Sequence, residues 1–256
     1  MPNHAEKGAY PRILETLNSL SRGLITNGSP DGMLRTILSA GTSLLPVVVC
    51  SLWRSDDLQT PDVLRLEAVR GADNPPLLPR TLKLPGSITH GVMHARRFQA
   101  VFDLMAEPTS AEKTIASQRG LTSLLCVPVP GDGPEPVGVL HCFTDRRYLF
   151  SDMDIQVGEA LARQVGIVWH MAALRGNAQR LREELKTRKQ VDRAKEILMD
   201  RREMTAEEAY RWIQKRSMDS RRSMRDVAET IILSEASGYY TSIPHALDLL
   251  NKPPQK

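Results

Sequence analysis

The chain has 256 residues, of which 41% are apolar and 25% charged, and its formal net charge is +4. This length allows one large or two ordinary domains, and the apolar fraction excludes a disordered chain. No apolar run approaches the roughly 18 residues that span a bilayer, and residues 1–8 lack the apolar stretch of a signal peptide. We therefore expect a cytoplasmic protein that has no membrane partner.

The chain opens with two helical patterns. Apolar residues recur at spacings of four, three and four between Tyr10 and Ile25, which predicts an amphipathic helix. A Ser-Pro-Asp-Gly break at residues 29–32 precedes a second predicted helix, from about Met33 to Leu45.

The next hundred residues indicate a sheet. Short apolar or alternating segments, bounded by Gly, Pro and Asp clusters, predict strands at residues 47–53, 63–69, 98–104, 121–129 and 137–143. A Gly-rich connection between the last two is typical of a hairpin. The fold class of this region is therefore α+β, with an antiparallel sheet flanked by helices.

Catalytic and metal-binding patterns are not evident in the sequence. Cys50, Cys126 and Cys142 are far apart and form no Cys-x-x-Cys pair, so we expect buried structural thiols and no metal site. The spacing assembles neither a nucleophile–base pair nor a phosphate loop, and we therefore expect no enzyme.

After Phe150 the pattern is helical to about Arg201. Within it, six apolar residues recur at alternating spacings of four and three, as at the a and d positions of a coiled coil. This seam comprises Ile167, Met171, Leu174, Ala178, Leu181 and Leu185. From Arg188 onward the same register holds charged residues. The pattern favours a homodimer through this helix, and packing against the sheet is the alternative.

Three short helices follow from Lys186 onward, the first being the end of the long helix. The second begins at Thr205, where Thr-Ala-Glu-Glu is a capping box. The third begins at Ser223, and its apolar residues follow a helical period as far as about Gly238. We expect these helices to pack into one compact bundle.

Charge is unevenly distributed along the chain. Residues 175–256 carry a net charge of +5 and residues 1–174 carry −1. At about 100° per residue, Arg188, Lys195 and Arg202 form one stripe along the first helix. Such a stripe is typical of a phosphate-binding surface, but a solvated helix face explains it equally well.

The motifs of this bundle resemble the ANTAR domain. They are Arg-Lys-Gln-Val-Asp-Arg-Ala-Lys-Glu-Ile-Leu-Met at 188–199, Thr-Ala-Glu-Glu-Ala-Tyr at 205–210 and Asp-Val-Ala at 226–228. The resemblance implies an RNA-binding domain of transcription antiterminators. Such domains bind paired hairpins of a nascent leader RNA and prevent the competing terminator hairpin from forming.

The resemblance and the charges together predict the RNA-binding residues Arg188, Lys189, Ala194, Lys195, Arg202, Tyr210, Arg216, Arg222 and Arg225. Tyr210 could stack on an unpaired loop base or pack in the core. The chain departs from the family at Glu196, Arg221 and Ser223, where Gly, Asn and Lys are usual.

Residues from about 10 to 175 resemble a GAF domain. The resemblance lies in the helix–strand order, Gly-Leu-Thr-Ser-Leu-Leu-Cys-Val-Pro-Val at 120–129, Pro-Val-Gly-Val-Leu-His-Cys at 136–142 and Phe-Ser-Asp-Met-Asp at 150–154. It implies a cavity for a small molecule whose identity is unknown, beneath a short helix at 87–93. Residues near that cavity would include His90, His94, Phe102, Asp103 and Cys126.

We thus divide the chain into a GAF-like sensory domain (10–175), a coiled-coil linker helix (176–187), an ANTAR domain (188–240) and a tail (241–256). The predicted function is a signal-responsive, RNA-binding transcription antiterminator. The alternative is a DNA-binding regulator with a small-molecule sensory domain, in which the third helix of the bundle reads the major groove. That helix is largely apolar after Arg225, which favours RNA.

Overall fold

The structure is a computed structural model that describes residues 29–55, 63–71 and 78–236 together with Glu15. The predicted helix at 10–25, the end of the last helix near Gly238 and the tail lie outside the described residues. The chain divides into two compact units, Met1–Ala173 and Leu174–Lys256. Each unit is described by itself.

The first unit is built around an antiparallel sheet of six strands in the order β3-β2-β1-β6-β5-β4. In chain order its elements are α1 (Pro30–Leu44), β1 (Val49–Ser55), β2 (Val63–Gly71), β3 (Thr81–Lys83), α2 (Ile88–Ala95), β4 (Gln99–Val101), α3 (Ala111–Arg119), β5 (Ser123–Pro130), β6 (Pro136–Thr144) and the first part of α4 (Asp152–Arg202). The predicted α+β class and antiparallel sheet are confirmed.

Both faces of the sheet are covered because successive side chains of a strand point to opposite sides. On β6, Leu140 and Cys142 belong to a core that also contains α1 and the first part of α4. Val139 and Phe143 belong to a second core that contains α2 and α3. The strand β6 is therefore buried along almost its whole length. Cys50, Cys126 and Cys142 are free and fully buried, as predicted.

Five of the six strands and the short helix α2 occur where the sequence predicts them, with shifted ends. The segment predicted at 98–104 is reduced to the three residues of β4. Strand β3 and helix α3 were not predicted. In β3 only Leu82 is buried, and three residues are too few to establish a period. Helix α3 is mostly polar, so its sequence shows no apolar stripe that would have predicted a helix packed on the core.

The second unit is a three-helix bundle formed by the end of α4, α5 (Ala206–Ser220) and α6 (Met224–Ala236). Thr205 and Glu208 form the predicted capping box at the start of α5. The core consists of Val191, Ala194, Ile197, Leu198, Ala209, Ile213, Val227, Ala228 and Ile231. Within the described part of the chain, no helix is both long and apolar enough to cross a membrane.

Two glycines of α4 stand in opposite surroundings. A Cβ on Gly166 would come within 2.5 Å of the carbonyl oxygen of Pro130, the last residue of β5. The absence of a side chain therefore lets the helix pack closely on the strand. A Cβ on Gly176 would meet no heavy atom within 4 Å. Gly176 consequently costs helix stability without permitting a close contact.

This contrast predicts opposite effects of one substitution. Gly166→Ala should lower the free energy of unfolding by about 1–3 kcal/mol, because the helix must move away from Pro130. Gly176→Ala should raise it by up to roughly 1 kcal/mol through helix propensity. Thermal and denaturant unfolding followed by circular dichroism measure both. Equal effects of the two substitutions would contradict the close packing at Gly166.

Candidate nucleic-acid interface

An open groove of about 540 Å³ lies on the surface of the second unit, between α4, the first half of α5 and the start of α6. Arg188 and Lys195 line it from α4, Tyr210 from α5 and Met224 from α6. These include three of the predicted RNA-binding residues. The groove thus combines cations, which attract phosphate, with an aromatic ring on which a base can stack.

Tyr210 is placed by the capping box that starts α5. Its neighbour Ala209 is fully buried in the bundle core, whereas Tyr210 is 43% exposed. The ring therefore lines the groove and is not part of the bundle core. This arrangement leaves part of its surface free to contact a ligand.

Carboxylates also line the groove, and each has a cation nearby. Asp192 Oδ1 lies 3.1 Å from Lys195 Nζ, and Glu184 Oε1 lies 3.8 Å from the Nε of Arg180. No carboxylate among the described residues forms an ion pair with Arg188. A phosphate entering the groove therefore meets Arg188 directly, whereas it must compete with Asp192 for Lys195.

Arg225 is bound to carboxylates on two sides. Its NH1 donates to Glu183 Oε2 at 2.6 Å and its Nε donates to Glu229 Oε1 at 3.2 Å, while Gln190 also donates to Glu229. The hydrogen bond to Glu229 raises the pKa of the guanidinium. Arg225 therefore ties α6 to α4, a role that the sequence did not reveal because Glu183 is 42 residues away.

The other predicted RNA contacts are dispersed. Ala194 is fully buried in the bundle core, so its small size is explained by helix packing and its side chain offers no surface to RNA. The guanidinium of Arg202 lies 5.2 Å from the centre of the Trp212 ring. Arg216 and Arg222 are half-buried, and neither lines the groove.

Lys189 is exposed but lies on another side of α4. At about 100° per residue it is roughly 160° round the helix from Thr187 and Val191, both of which line the groove. Glu196, where the family usually has Gly, pairs with Arg193 at 2.9 Å. Much of its charge is thereby compensated locally.

The predicted seam residues are unusually exposed for large apolar side chains. In the second unit, Leu174, Leu181 and Leu185 are 54%, 55% and 60% exposed, and Ala178 is exposed as well. In the first unit Ile167 is exposed and Met171 is half-buried. A row of exposed leucines on one helix face is typical of a surface that another molecule covers.

A second polar site lies inside the first unit, between the sheet and the helices α2 and α3. Glu112 of α3 is fully buried, and its carboxylate accepts hydrogen bonds from the backbone N–H groups of Ile88 and Thr89 at 3.1 and 2.9 Å. It also accepts one from the Thr89 hydroxyl at 2.5 Å. The carboxylate therefore satisfies the free N–H groups at the start of α2.

His141 of β6 completes this network. Its Nε2 lies 2.8 Å from Thr89 Oγ1, and its Nδ1 has no partner among the described residues. Burial lowers the pKa of His141 to about 4, although Glu112 opposes this shift. Burial also acts to raise the pKa of Glu112, but the attraction of His141 and the hydrogen bonds from Thr89 hold it below its usual value.

The residues predicted to line a ligand cavity are not brought together. His90, His94 and Phe102 are exposed, and Asp103 pairs with Arg147 at 2.7 Å on the surface. Of these residues only Cys126 is buried. It lies on β5, opposite His141 of the neighbouring strand β6. The buried carboxylate of Glu112 in this region was not among the predicted residues. Its signal was the spacing of Glu112, Ile115 and Ala116, which places an acid on the inner face of a helix.

These groups do not form a metal site. Among residues 29–55, 63–71 and 78–236, no three His, Cys, Asp or Glu side chains are arranged to hold a metal ion. Burial raises the pKa of the Cys126 thiol well above its usual value, so the thiol stays protonated.

Comparisons with known families agree with this architecture. A family model described as "GAF domain" matches residues 27–170, more than half of the chain. A model described as "ANTAR domain" matches residues 179–232. The chain therefore belongs to the GAF family, and it carries an ANTAR domain C-terminal to the GAF domain.

Individual relatives cover parts of the chain. The "Transcriptional regulatory protein PdtaR" of Mycobacterium tuberculosis is 44% identical over 62 residues, which are 24% of this chain and 30% of that protein. The match thus spans less than a third of the curated relatives.

Solved structures match more of the chain at lower identity. The GAF domain from a phosphoenolpyruvate-protein phosphotransferase of Coxiella burnetii has a TM-score of 0.53 at 17% identity and covers 65% of this chain and 96% of that chain. Free methionine-R-sulfoxide reductase from Neisseria meningitidis has a TM-score of 0.51 at 18% identity, covering 61% and 87%. At these identities the likeness shows the fold alone.

The buried imidazole predicts a specific dependence of stability on pH. Between about pH 4 and 6.5 the unfolded chain binds a proton at His141 that the folded chain does not, so stability should rise with pH. The lowered pKa of His141 corresponds to roughly 3 kcal/mol in the free energy of unfolding.

The variant His141→Leu tests this effect. In this interval its free energy of unfolding, measured with denaturant at each pH, should change less with pH than that of the wild type. An unchanged slope in that variant would contradict the assignment. Glu112 contributes to the slope only at the acid end of this interval, since its pKa lies below its ordinary value of 4.5 in the folded chain.

Proposed function

We propose that this protein is a transcription antitermination regulator whose ANTAR domain binds hairpins in a nascent leader RNA and prevents terminator formation. The observation that carries the proposal is the groove in which Arg188 and Lys195 stand beside the exposed ring of Tyr210. The match to the ANTAR family and the likeness to a transcriptional regulatory protein support it.

The chemistry of the groove suits RNA with unpaired bases. Arg188 and Lys195 lie seven residues apart on α4, which is about 10 Å along the helix. Phosphates of a folded backbone can engage both. Tyr210 opposite them can stack on a base that leaves the loop, because unpaired loop bases are available for stacking.

The bundle suits DNA less well. A helix-turn-helix protein reads the major groove with side chains at the start of its recognition helix. In α6 the cation of the first turn is Arg225, which is held by Glu183 and Glu229. Reading a base with Arg225 would require both ion pairs to break. We therefore keep DNA binding as the weaker alternative.

The GAF domain supplies the signal input in this proposal. Its fold is shared by domains with different functions, and so the fold alone does not name the small molecule. The protein acts as a regulator in the cytoplasm, and we propose no enzymatic activity for it.

The protein acts as a homodimer in this proposal. The exposed seam would be covered by the same seam of a second copy, since Leu174, Leu181 and Leu185 recur with the period of a coiled coil. Each large side chain that becomes buried contributes roughly 1.5–3 kcal/mol. Leu174, Leu181 and Leu185, each more than half exposed, supply most of the apolar surface that this association would bury.

RNA binding can be tested in two stages. Sequencing the RNAs that co-purify with the protein should show enrichment of leader hairpins. With a synthetic stem-loop copied from the most enriched RNA, Lys195→Ala should weaken binding about tenfold and reduce the slope of log K against log salt by about 1, because one phosphate contact is lost.

Lys215→Ala is the matched control for that variant. Lys215 is an exposed cation of α5 that does not line the groove, and its replacement should leave both quantities almost unchanged. Wild-type affinity of Lys195→Ala would contradict the proposed surface. Enrichment of no RNA above background would contradict RNA binding altogether.

Dimerisation has a separate test. Leu181→Glu combined with Leu185→Glu should give a monomer in sedimentation or light scattering, because charged residues at a and d positions oppose association. The control is Met218→Glu, on α5, whose side chain is 65% exposed and lies outside the seam. A double variant that stays dimeric would place the interface elsewhere.

A further inference from the structure

Lys189 is one of the predicted RNA-binding residues, yet it does not line the groove of its own chain. On α4 the groove lies on one flank of the seam, where Glu184 and Val191 stand at g positions of the heptad. Lys189 lies on the opposite flank, at an e position, as do Arg175 and Arg182. These three e positions all hold cations.

The distribution of charge on the two flanks determines how two copies can pair. In an antiparallel pair of helices the e flanks face each other, so the cations Arg175, Arg182 and Lys189 of one chain would face the same row of cations on the other. In a parallel pair each g flank faces the e flank of the other helix. Glu184 then faces a cation instead of a like charge. The charges of the e and g flanks therefore favour a second copy of this chain in parallel orientation over an antiparallel one.

The register of the parallel pair places one contact next to the groove. A residue at g approaches the e residue five positions later on the other helix, which pairs Glu184 with Lys189 of the partner subunit. Glu184 lines the groove. The partner's Lys189 is therefore brought to the rim of this groove, between the turn that carries Arg180 and the turn that carries Arg188.

We propose that the RNA groove is a composite site, completed in the dimer by Lys189 of the partner subunit. This inference rests on the proposed RNA-binding function and adds the second copy as a contributor to the site. The added cation neutralises Glu184, whose distance to Arg180 within the chain is 3.8 Å. It also adds a phosphate-binding group to the side of the groove opposite Tyr210.

Subunit mixing tests the inference. One subunit carries Tyr210→Ala and keeps Lys189, while the other carries Lys189→Ala and keeps Tyr210; the heterodimer is purified through two different tags. If Lys189 acts on the partner's groove, one groove of this heterodimer is intact. The heterodimer should then bind one stem-loop, copied from the most enriched co-purifying RNA, with wild-type affinity. Each mutant homodimer should bind about tenfold more weakly.

The reciprocal heterodimer is the matched control. It joins a wild-type subunit to a subunit that carries both Tyr210→Ala and Lys189→Ala. Here the composite model leaves no groove intact, since the wild-type groove lacks its partner's Lys189. Affinity should therefore fall about tenfold at both grooves. If Lys189 acted within its own chain, the two heterodimers would exchange their behaviour, and that result would overturn the inference.

Circular dichroism and light scattering establish that every heterodimer is folded and dimeric. If the Tyr210→Ala subunit unfolds, Lys195→Ala replaces it.

Three further outcomes are distinguishable. A wild-type protein that binds RNA as a monomer would overturn the composite site but leave the proposed function intact. A wild-type dimer that binds no RNA would overturn both. Equal affinities of the two heterodimers would overturn the composite site alone.

Discussion

From Leu174 to Arg202 helix α4 is continuous, and this fixes the angle between every pair of side chains that it carries. The residues of α4 that form the seam, line the groove and enter the core of the bundle lie on three different faces of this one helix. A single residue inserted between Leu185 and Arg188 would rotate the groove by about 100° relative to the seam. The relative placement of these three faces in the second unit therefore depends on helical continuity more than on any one contact.

The first unit meets a different constraint, the burial of a charged group. A carboxylate in a protein core is tolerated only when hydrogen bonds replace its water. Glu112 obtains them from the first turn of α2 and from Thr89, and the neutral imidazole of His141 lies beyond. The network joins two helices and the central strand β6. Removing Glu112 would leave the N–H groups of Ile88 and Thr89 without the acceptor that they have in the core, so the network stabilises the packing only while its carboxylate is present.

The sequence predicts elements well where a period repeats several times. The long helix and the bundle core follow from repeated spacing, the capping box at Thr205 follows from its specific four-residue pattern, and the structure confirms all three. Prediction from the sequence fails where the pattern is too short to show a period or where the partner residues are far apart in the chain. Strand β3 has one buried residue, and nothing near Arg225 indicates a partner 42 residues earlier. Ala194 shows a subtler limit, since a small residue suits close approach by RNA and close packing of helices equally well.

The bond between Arg225 and Glu183 also has a consequence for how such proteins can be recombined. Glu183 lies between two seam residues, Leu181 and Leu185, and the ANTAR match itself begins at residue 179. The bundle and the seam consequently share one turn of helix and have no clean boundary between them. A chimera that joins this bundle to another sensory domain would have to cross over upstream of Glu183. The unit to be transferred is thus the bundle together with the turn of α4 that carries Glu183.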